Sequence, residues 1–341
     1  MAKIMDIGPA TKAEAALAER RAFETLEGFL ALRWRTGWAE GRTGCFVVRA
    51  GGEMVSSVFV VRTPLHWPQA HTEFDVGPGE RALPVVEVAC LDSLITPARH
   101  RRNGYAGALL EWVHGWAVET GLAGTALFSE IGTSYYRERG FHVLPMPFYR
   151  GPLSDGIGRS AVEGRPFRVD DLERVAAVYT AAARRVPLSV ARDVDYWLYH
   201  LDHSRFVGDL HSDDPDPWDF VVDADDTRAY VRSRSDGDIF TVLEAACLPG
   251  AEGLLMALLE SGLRRARESG CLRVVLHLHP AVAEPPGLVL RETWYETFLV
   301  RPTVAEEGVF ALLASGEAAE SPATHDSGSA CRGYIFRPDY F

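Results

Sequence analysis

No stretch of this sequence approaches the roughly 20 continuous apolar residues that a membrane span requires. The first residues, Met1-Ala2-Lys3-Ile4-Met5-Asp6, lack the apolar core of a signal peptide. C-x-x-C pairs are missing as well: the five cysteines (Cys45, Cys90, Cys247, Cys271, Cys331) are scattered and odd in number. That usage suits a reducing cytosol and offers no disulfide framework. Positive charge is short. The formal net charge is −12 at pH 7, so a broad basic face is lacking and nucleic acid is not expected as the main partner. There is no Walker loop, no dinucleotide fingerprint and no nucleophilic Ser or Cys motif. What the chain does have is bulk. Its 341 residues, 47% of them hydrophobic, suit two domains of ordinary size with a sizeable core.

The one dense basic cluster lies in Leu94-Ile95-Thr96-Pro97-Ala98-Arg99-His100-Arg101-Arg102-Asn103-Gly104-Tyr105-Ala106-Gly107. An apolar strand ends before proline, which disfavours helix in the residue ahead of it. A basic turn follows, and then a glycine opens an amphipathic helix. Unpaired N–H groups at a helix start, together with the dipole's positive end, make a socket for phosphate oxygens. Gly104, without a Cβ, lets the main chain come close to a ligand. Arg101, Gly104 and Ala106 form an R-x-x-G-x-A pattern. Local charge on an otherwise acidic chain points to a small anionic ligand.

Apolar spacing predicts a helix over residues 13–36. A hairpin follows, with strands Cys45–Ala50 and Met54–Arg62 about a Gly51-Gly52 turn. The wetter segment Pro64–Pro84 reads as a loop near an active-site mouth. Val85–Ile95 is a strand, Gly104–Thr120 a helix stopped at Gly121, Thr125–Phe128 a strand, Thr133–Arg139 a helix and Phe141–Tyr149 a closing strand. Residues 151–165 read as a linker. Beyond them come helices over Val169–Arg184 and Val194–His203, strands over Asp219–Ala224, Thr227–Ser233 and Ile239–Cys247, a helix over Ala251–Ser269 and a strand over Leu272–His279. This order echoes the first half. Where the first half has its arginine-rich turn, however, the second has Leu248-Pro249-Gly250-Ala251-Glu252-Gly253, a poor phosphate site. Residues 315–331 are small and polar, which suits a mobile segment, and Tyr334-Ile335-Phe336 suits a final strand.

The cradle resembles motif A of the GNAT acetyltransferase superfamily. Downstream, Leu127-Phe128-Ser129-Glu130-Ile131-Gly132-Thr133-Ser134-Tyr135-Tyr136-Arg137-Glu138-Arg139-Gly140-Phe141 resembles its motif B, a strand followed by a helix bearing Y-x-x-x-G-F. Within the superfamily the spacing looks most like the fungal lysine N-acetyltransferase group and its bacterial relatives. The matching residues are Thr96, Pro97, Arg101, Gly104, Tyr105 and Ala106 in one block, and Ser129, Glu130, Ile131, Gly132, Tyr135 and Tyr136 in the other. Arg102-Asn103 departs from the usual R-G-x-G.

The resemblance covers roughly the first 150 residues. It implies an α/β class (α+β mixed sheet) GNAT fold: a GNAT domain over 1–150 that binds acetyl-CoA, and a degenerate GNAT-like domain over 166–341 for packing or substrate enclosure. It implies a cytosolic acetyl-CoA-dependent N-acetyltransferase, with acetyl-CoA as cosubstrate, no metal, and no nucleic-acid or membrane partner. The acceptor it suggests is a small amine such as an amino acid. The coenzyme set it implies is Leu94, Ile95, Thr96, Arg101, Arg102, Asn103, Gly104, Tyr105, Ala106 and Gly107. The backbone of Ser93–Thr96 would serve the thioester carbonyl, and Tyr136, with Tyr135 as fallback, would face the sulfur as proton donor. The alternative for Tyr136 is packing with its hydroxyl tied to backbone.

Glu87, Asp92 and Glu130 are candidate general bases, each with a structural alternative. Arg33, Arg35 or Arg150 could anchor an acidic acceptor. His277 with His279, and His200, His203 and His211 with Asp202, have a loose metal-like spacing without a complete ligand set. Two other readings stay open: a protein or histone-tail lysine acetyltransferase, which an acidic surface would suit, and a CoA-binding regulatory module without turnover.

Overall fold

The computed structural model describes residues 5–22, 37–67, 82–129, 132–153, 162, 164–184, 186–211, 218–223, 226–277 and 291–303. Strands β2 (Thr43–Ala50) and β3 (Glu53–His66) pair antiparallel, and β4 (Val85–Ile95) pairs antiparallel with β3. Alternation gives this sheet two apolar faces. Phe46, Val48, Val58, Val60, Ala89 and Leu91 share one, whereas Val61, Leu65, Val88 and Cys90 share the other. An unexpected strand, β1 (Met5–Pro9), pairs with β2. Helix α1 (Lys12–Ala22) covers Cys45, Val47 and Phe59 through Ala18. The helix expected over 13–36 is therefore described only as far as Ala22, and its remainder lies outside the described residues.

The segment Pro64–Pro84, expected as a loop, begins instead as strand, and its residues 68–81 lie outside the described residues. β3 continues into it to His66, where Pro64, Leu65 and His66 pair with Glu87, Val86 and Val85 of β4 and the wholly buried Leu65 also bridges to Val190. After β4 come α2 (Tyr105–Glu119), β5 (Gly124–Phe128), α3 (Ser134–Arg137) and β6 (His142–Pro152), near their expected bounds. α2 buries Tyr105, Leu109, Leu110, Val113 and Ala117 against the Ala89 face.

The second half runs β7 (Arg165–Pro166), α4 (Leu172–Ala183), α5 (Val194–His211), β8 (Trp218–Val222), β9 (Ala229–Asp236), β10 (Ile239–Cys247), α6 (Glu252–Glu268) and β11 (Arg273–Leu276). α5 extends well past His203, and β11 stops at Leu276 with His279 outside the described residues. So are residues 304–341, including the strand expected at Tyr334–Phe336.

Then comes β12 (Arg291–Pro302), a strand not expected from the sequence. It decides the architecture. The strands form one sheet in the order β1-β2-β3-β4-β5-β12-β6-β11-β10-β9-β8-β7. β12, from the second half, lies between β5 and β6 of the first. β6 in turn lies between β12 and the second half's β11. The halves thus exchange their closing strands, and backbone pairing runs unbroken through both.

Candidate active site

β4 and β5 are parallel neighbours only over Ala89–Leu91 and Thr125–Leu127. Past Leu91 they part, because β4 bulges: Ser93 and Leu94 together face Val58 of β3, and Ser93 sits at φ 54. Among the described residues the β4–β5 ladder therefore does not extend to Ser93–Ile95. The Ser56 hydroxyl holds the end of the strand, donating to the Ile95 carbonyl at 3.1 Å and lying 2.9 Å from the Thr96 hydroxyl.

The basic turn divides its charges. Glu53, beside the hairpin turn, pairs with Arg99 and lies 3.4 Å from His100, and its carboxyl is pulled below the usual range mainly by Arg99. Arg101 and Arg102 are exposed, and among the described residues no carboxylate pairs with either. Arg101 uses Nε to hold the Thr96 carbonyl at 3.1 Å, and Asn103 donates to the carbonyls of His100 and Arg101 at 3.1 and 3.0 Å. The turn closes on itself and aims outward.

Gly104, the residue ahead of α2, has φ 80, a conformation glycine adopts without strain, and nothing lies within 4 Å of where a Cβ would sit. Among the described residues no carbonyl accepts from the backbone N–H groups of residues 102–107; the first helical bond runs from Ala108 N–H to the Gly104 carbonyl at 3.0 Å. From Arg102 to Ala106 a row of amides is left open between β4 and α2.

Tyr136 lies in α3 at the edge of the same core cluster as Leu91, Leu94, Tyr105 and Leu127. Its ring packs edge-on against Tyr135 and Phe141, at 5.3 and 5.9 Å. Among the described residues nothing hydrogen-bonds its hydroxyl. Burial pushes it up to about 12, which keeps it protonated over the whole neutral and mildly alkaline range. Arg139 braces α3: it donates to the Tyr135 carbonyl at 2.5 Å, lies 3.8 Å over the Tyr135 ring, and has its Nε 3.0 Å from where a Cβ on Gly107 would be.

The second half repeats this plan with its opening filled. β10 parallels β11 over Ile239–Val242 and then bulges at Leu243. There Glu244, wholly buried, receives two bonds from Arg192 at 3.0 and 2.7 Å and one from the Tyr230 hydroxyl. Arg232 donates to His200 Nε2 at 2.5 Å, which takes that nitrogen away from any metal role. At the head of α6 the Glu252 carboxylate accepts from Gly250 N–H at 3.0 Å, so an acidic side chain already occupies that end.

No protein-family model matches the chain, and no curated protein matches it. Solved structures do. A conserved protein of unknown function from Enterococcus faecalis V583 gives a TM-score of 0.65 at 12% identity, over 88% of this chain and 73% of that one. A GCN5-related N-acetyltransferase from Anabaena variabilis gives 0.63 at 12% identity, over 88% and 73%. Eis1 from Mycobacterium abscessus gives 0.54 at 18% identity, over 91% and 76%. The fold is that of the GCN5-related N-acetyltransferases.

In this GNAT fold, Leu94, Tyr105 and Tyr136 share one core cluster, Ile95 ends β4, Thr96 and Arg101–Gly104 lie in the connection from β4 to α2, and Ala106 lies in the first turn of α2. Tyr105 offers a ligand only its backbone, since its side chain is 3% exposed. Gly107 lies beneath Arg139. Asp92 stands beside the bulge and accepts from the Ser93 hydroxyl at 2.7 Å. Glu87 is not brought there. It lies toward the closed end of the sheet, where Ala123 N–H reaches its carbonyl, and its carboxylate pairs with Arg42 at 2.6 Å and Arg62 at 3.8 Å. Arg150 sits at the exchange seam between β11 and β12. Glu130, Arg33 and Arg35 lie outside the described residues. The sequence reading missed Arg139; the only signal was a cation where Y-x-x-x-G-F leaves position free.

Proposed function

We propose that this chain is a cytosolic N-acetyltransferase that passes an acetyl group from acetyl-CoA directly to the primary amine of a small molecule. The observation that carries this reading is the row of backbone N–H groups over residues 102–106 that find no carbonyl acceptor among the described residues, beside Arg101 and Arg102, with which no described carboxylate pairs, in the turn that follows the splayed strand β4. N–H groups without acceptors at a helix head suit phosphate oxygens, and the gap between β4 and β5 suits an extended arm. The group held there supplies a reactive thioester. The likeness of motif A to the lysine N-acetyltransferase group supports an amino acid as acceptor.

Transfer to an amine makes three demands. The acceptor must lose a proton, since an aliphatic ammonium titrates near ~10; Asp92, beside the bulge, takes it directly or through water. Negative charge grows on the carbonyl oxygen, and backbone N–H groups freed by the bulge at Ser93–Ile95 stabilise it. The departing sulfur gains from a proton donor, and the Tyr136 phenol, protonated at neutral pH, provides one. As its titration is pushed up to about 12, Tyr136 itself imposes no fall in rate below pH ~10.

Two measurements test this. Thermal unfolding with acetyl-CoA at a hundredfold excess over Kd is expected to show about 2.7 kcal/mol of stabilisation. A thiol-release assay across amino acids, polyamines, aminophosphonates and a basic peptide identifies the acceptor. Turnover with the peptide alone would favour a protein-lysine acceptor, the reading the net charge of −12 supports; binding without release would favour a regulatory module. Tyr136→Phe is expected to lower kcat by roughly 10²-fold or more with little change in coenzyme affinity. Arg101→Ala is expected to do the reverse.

A further inference from the structure

α3 is only Ser134–Arg137, too short to hold its own shape, so its neighbours decide where Tyr136 points. One of those neighbours comes from the other half of the chain. β12 brings Arg301 opposite Thr125 of β5. Its main chain is fixed on both sides: Val300 pairs with His142, Thr303 N–H donates to the Ala123 carbonyl at 3.0 Å, and the Arg301 carbonyl lies 3.0 Å from where a Cβ on Gly124 would be. From this base the guanidinium reaches two places. Nη1 donates to Glu111 Oε1 on α2 at 2.9 Å, and Nε lies 3.3 Å from where a Cβ would be on Gly140.

Gly140, at φ 76, ends the α3 turn. Its N–H donates to the Arg137 carbonyl at 3.0 Å, and the next N–H, of Phe141, donates to the carbonyl of Tyr136 at 3.2 Å. Arg301 therefore rests on the turn that holds Tyr136 by its backbone while gripping the helix whose first turn carries the open amides. The Arg301–Glu111 pair is partly exposed, at 21% and 53%, so it adds little to global stability. Its contribution is geometric.

We infer that Arg301 is a positioning residue, which sets the distance between the anion-holding end of α2 and the Tyr136 phenol. The second half thereby helps build the reaction geometry of the first through an exchanged strand. This rests on the reading of Tyr136 as proton donor, because Arg301 acts through that side chain.

The test uses the full chain with Arg301→Gln and Arg301→Lys, alone and combined with Tyr136→Phe. Arg301→Gln is expected to lower kcat about tenfold, with coenzyme Kd changed less than about twofold. Lysine, which keeps the charge for Glu111, is expected to recover part of the loss. In the Tyr136→Phe background the same change is expected to cost nothing further. Without any coenzyme, amide exchange in Arg301→Gln is expected to quicken at Gly140 and Phe141 and to stay unchanged in β2 and β3. The inference is overturned by a kcat within about twofold of the parent, by an equal loss in the Tyr136→Phe background, or by exchange that quickens throughout. The two ideas fail differently. If the parent binds no coenzyme, or Tyr136→Phe turns over normally, the functional reading falls and takes the inference with it. If Tyr136→Phe is impaired while Arg301→Gln is not, only the inference falls.

Discussion

Gly104 and Gly107 stand three residues apart and are glycine for different reasons. Gly104 has φ 80 and open space where a side chain would go, so its demand is conformational; Gly107 has an Arg139 Nε 3.0 Å from its missing Cβ, so its demand is room. Gly107→Ala is therefore expected to displace Arg139 by a few tenths of an ångström. Inside a helix alanine gains roughly 1 kcal/mol over glycine, and strain against Arg139 is expected to cancel that gain until Arg139→Leu releases it, which urea unfolding measures. A Gly107→Ala protein more stable than the parent by the full amount would refute this account. Sequence reached some side chains and not others, for a physical reason. Tyr136 was legible because four-residue spacing to Gly140 fixes its place on a short local turn. Glu87 misled because strand spacing alone puts it about 16 Å along β4 from Asp92, and nothing local announced that Arg42 would claim it. Arg139 was invisible because its partner, Gly107, belongs to another motif.

At the level of elements, the loop over residues 186–191 docks onto the end of β3. Leu188 N–H donates to the His66 carbonyl at 2.6 Å, His66 N–H to the Ser189 carbonyl at 2.9 Å, and His66 Nδ1 lies 3.0 Å from the Ser189 hydroxyl. Burial of His66 pulls its titration below the ordinary histidine value, so the folded state holds it neutral. Once pH drops below ~6.5 the unfolded chain binds a proton that the folded one refuses. Stability is then expected to decline as pH falls from ~6.5 toward the folded value. Urea midpoints at several pH values measure it, and His66→Gln should flatten that part of the curve; an unchanged slope would count against the account. β4, α2, β5 and α3 were readable because period, proline and glycine are written locally. The full length of β3 was not, since Pro64 looks like a stop and the strand there is made by pairing with Val85–Glu87 of β4 and by the bridge from Leu65 to Val190.

Across the whole molecule, the buried Arg192–Glu244 pair joins the α4–α5 connection to the bulge in β10. Arg192→Leu alone leaves the buried Glu244 carboxylate only the Tyr230 hydroxyl and Arg232 at 4.0 Å and is expected to cost about 3–5 kcal/mol, whereas Arg192→Leu with Glu244→Gln, which removes the charge and keeps an acceptor for Tyr230, should cost less. Denaturant unfolding of the single and double variants gives the comparison; equal losses would show the pair is not what matters. A chain ending before Arg291 lacks β12 and leaves β5 and β6 as bare edges, so it is expected to aggregate rather than yield a folded first half. Size-exclusion chromatography of such a fragment decides it. β12 was the least legible element because its meaning lies entirely in partners far back along the chain. That distance matters on the ribosome. β6 ends at Pro152 and β12 begins at Arg291, so at ~5–20 residues per second a nascent first half waits roughly 7–30 s for its missing strand. Throughout that interval two sticky edges are exposed, and the newborn chain is expected to lean on chaperones until its tail emerges.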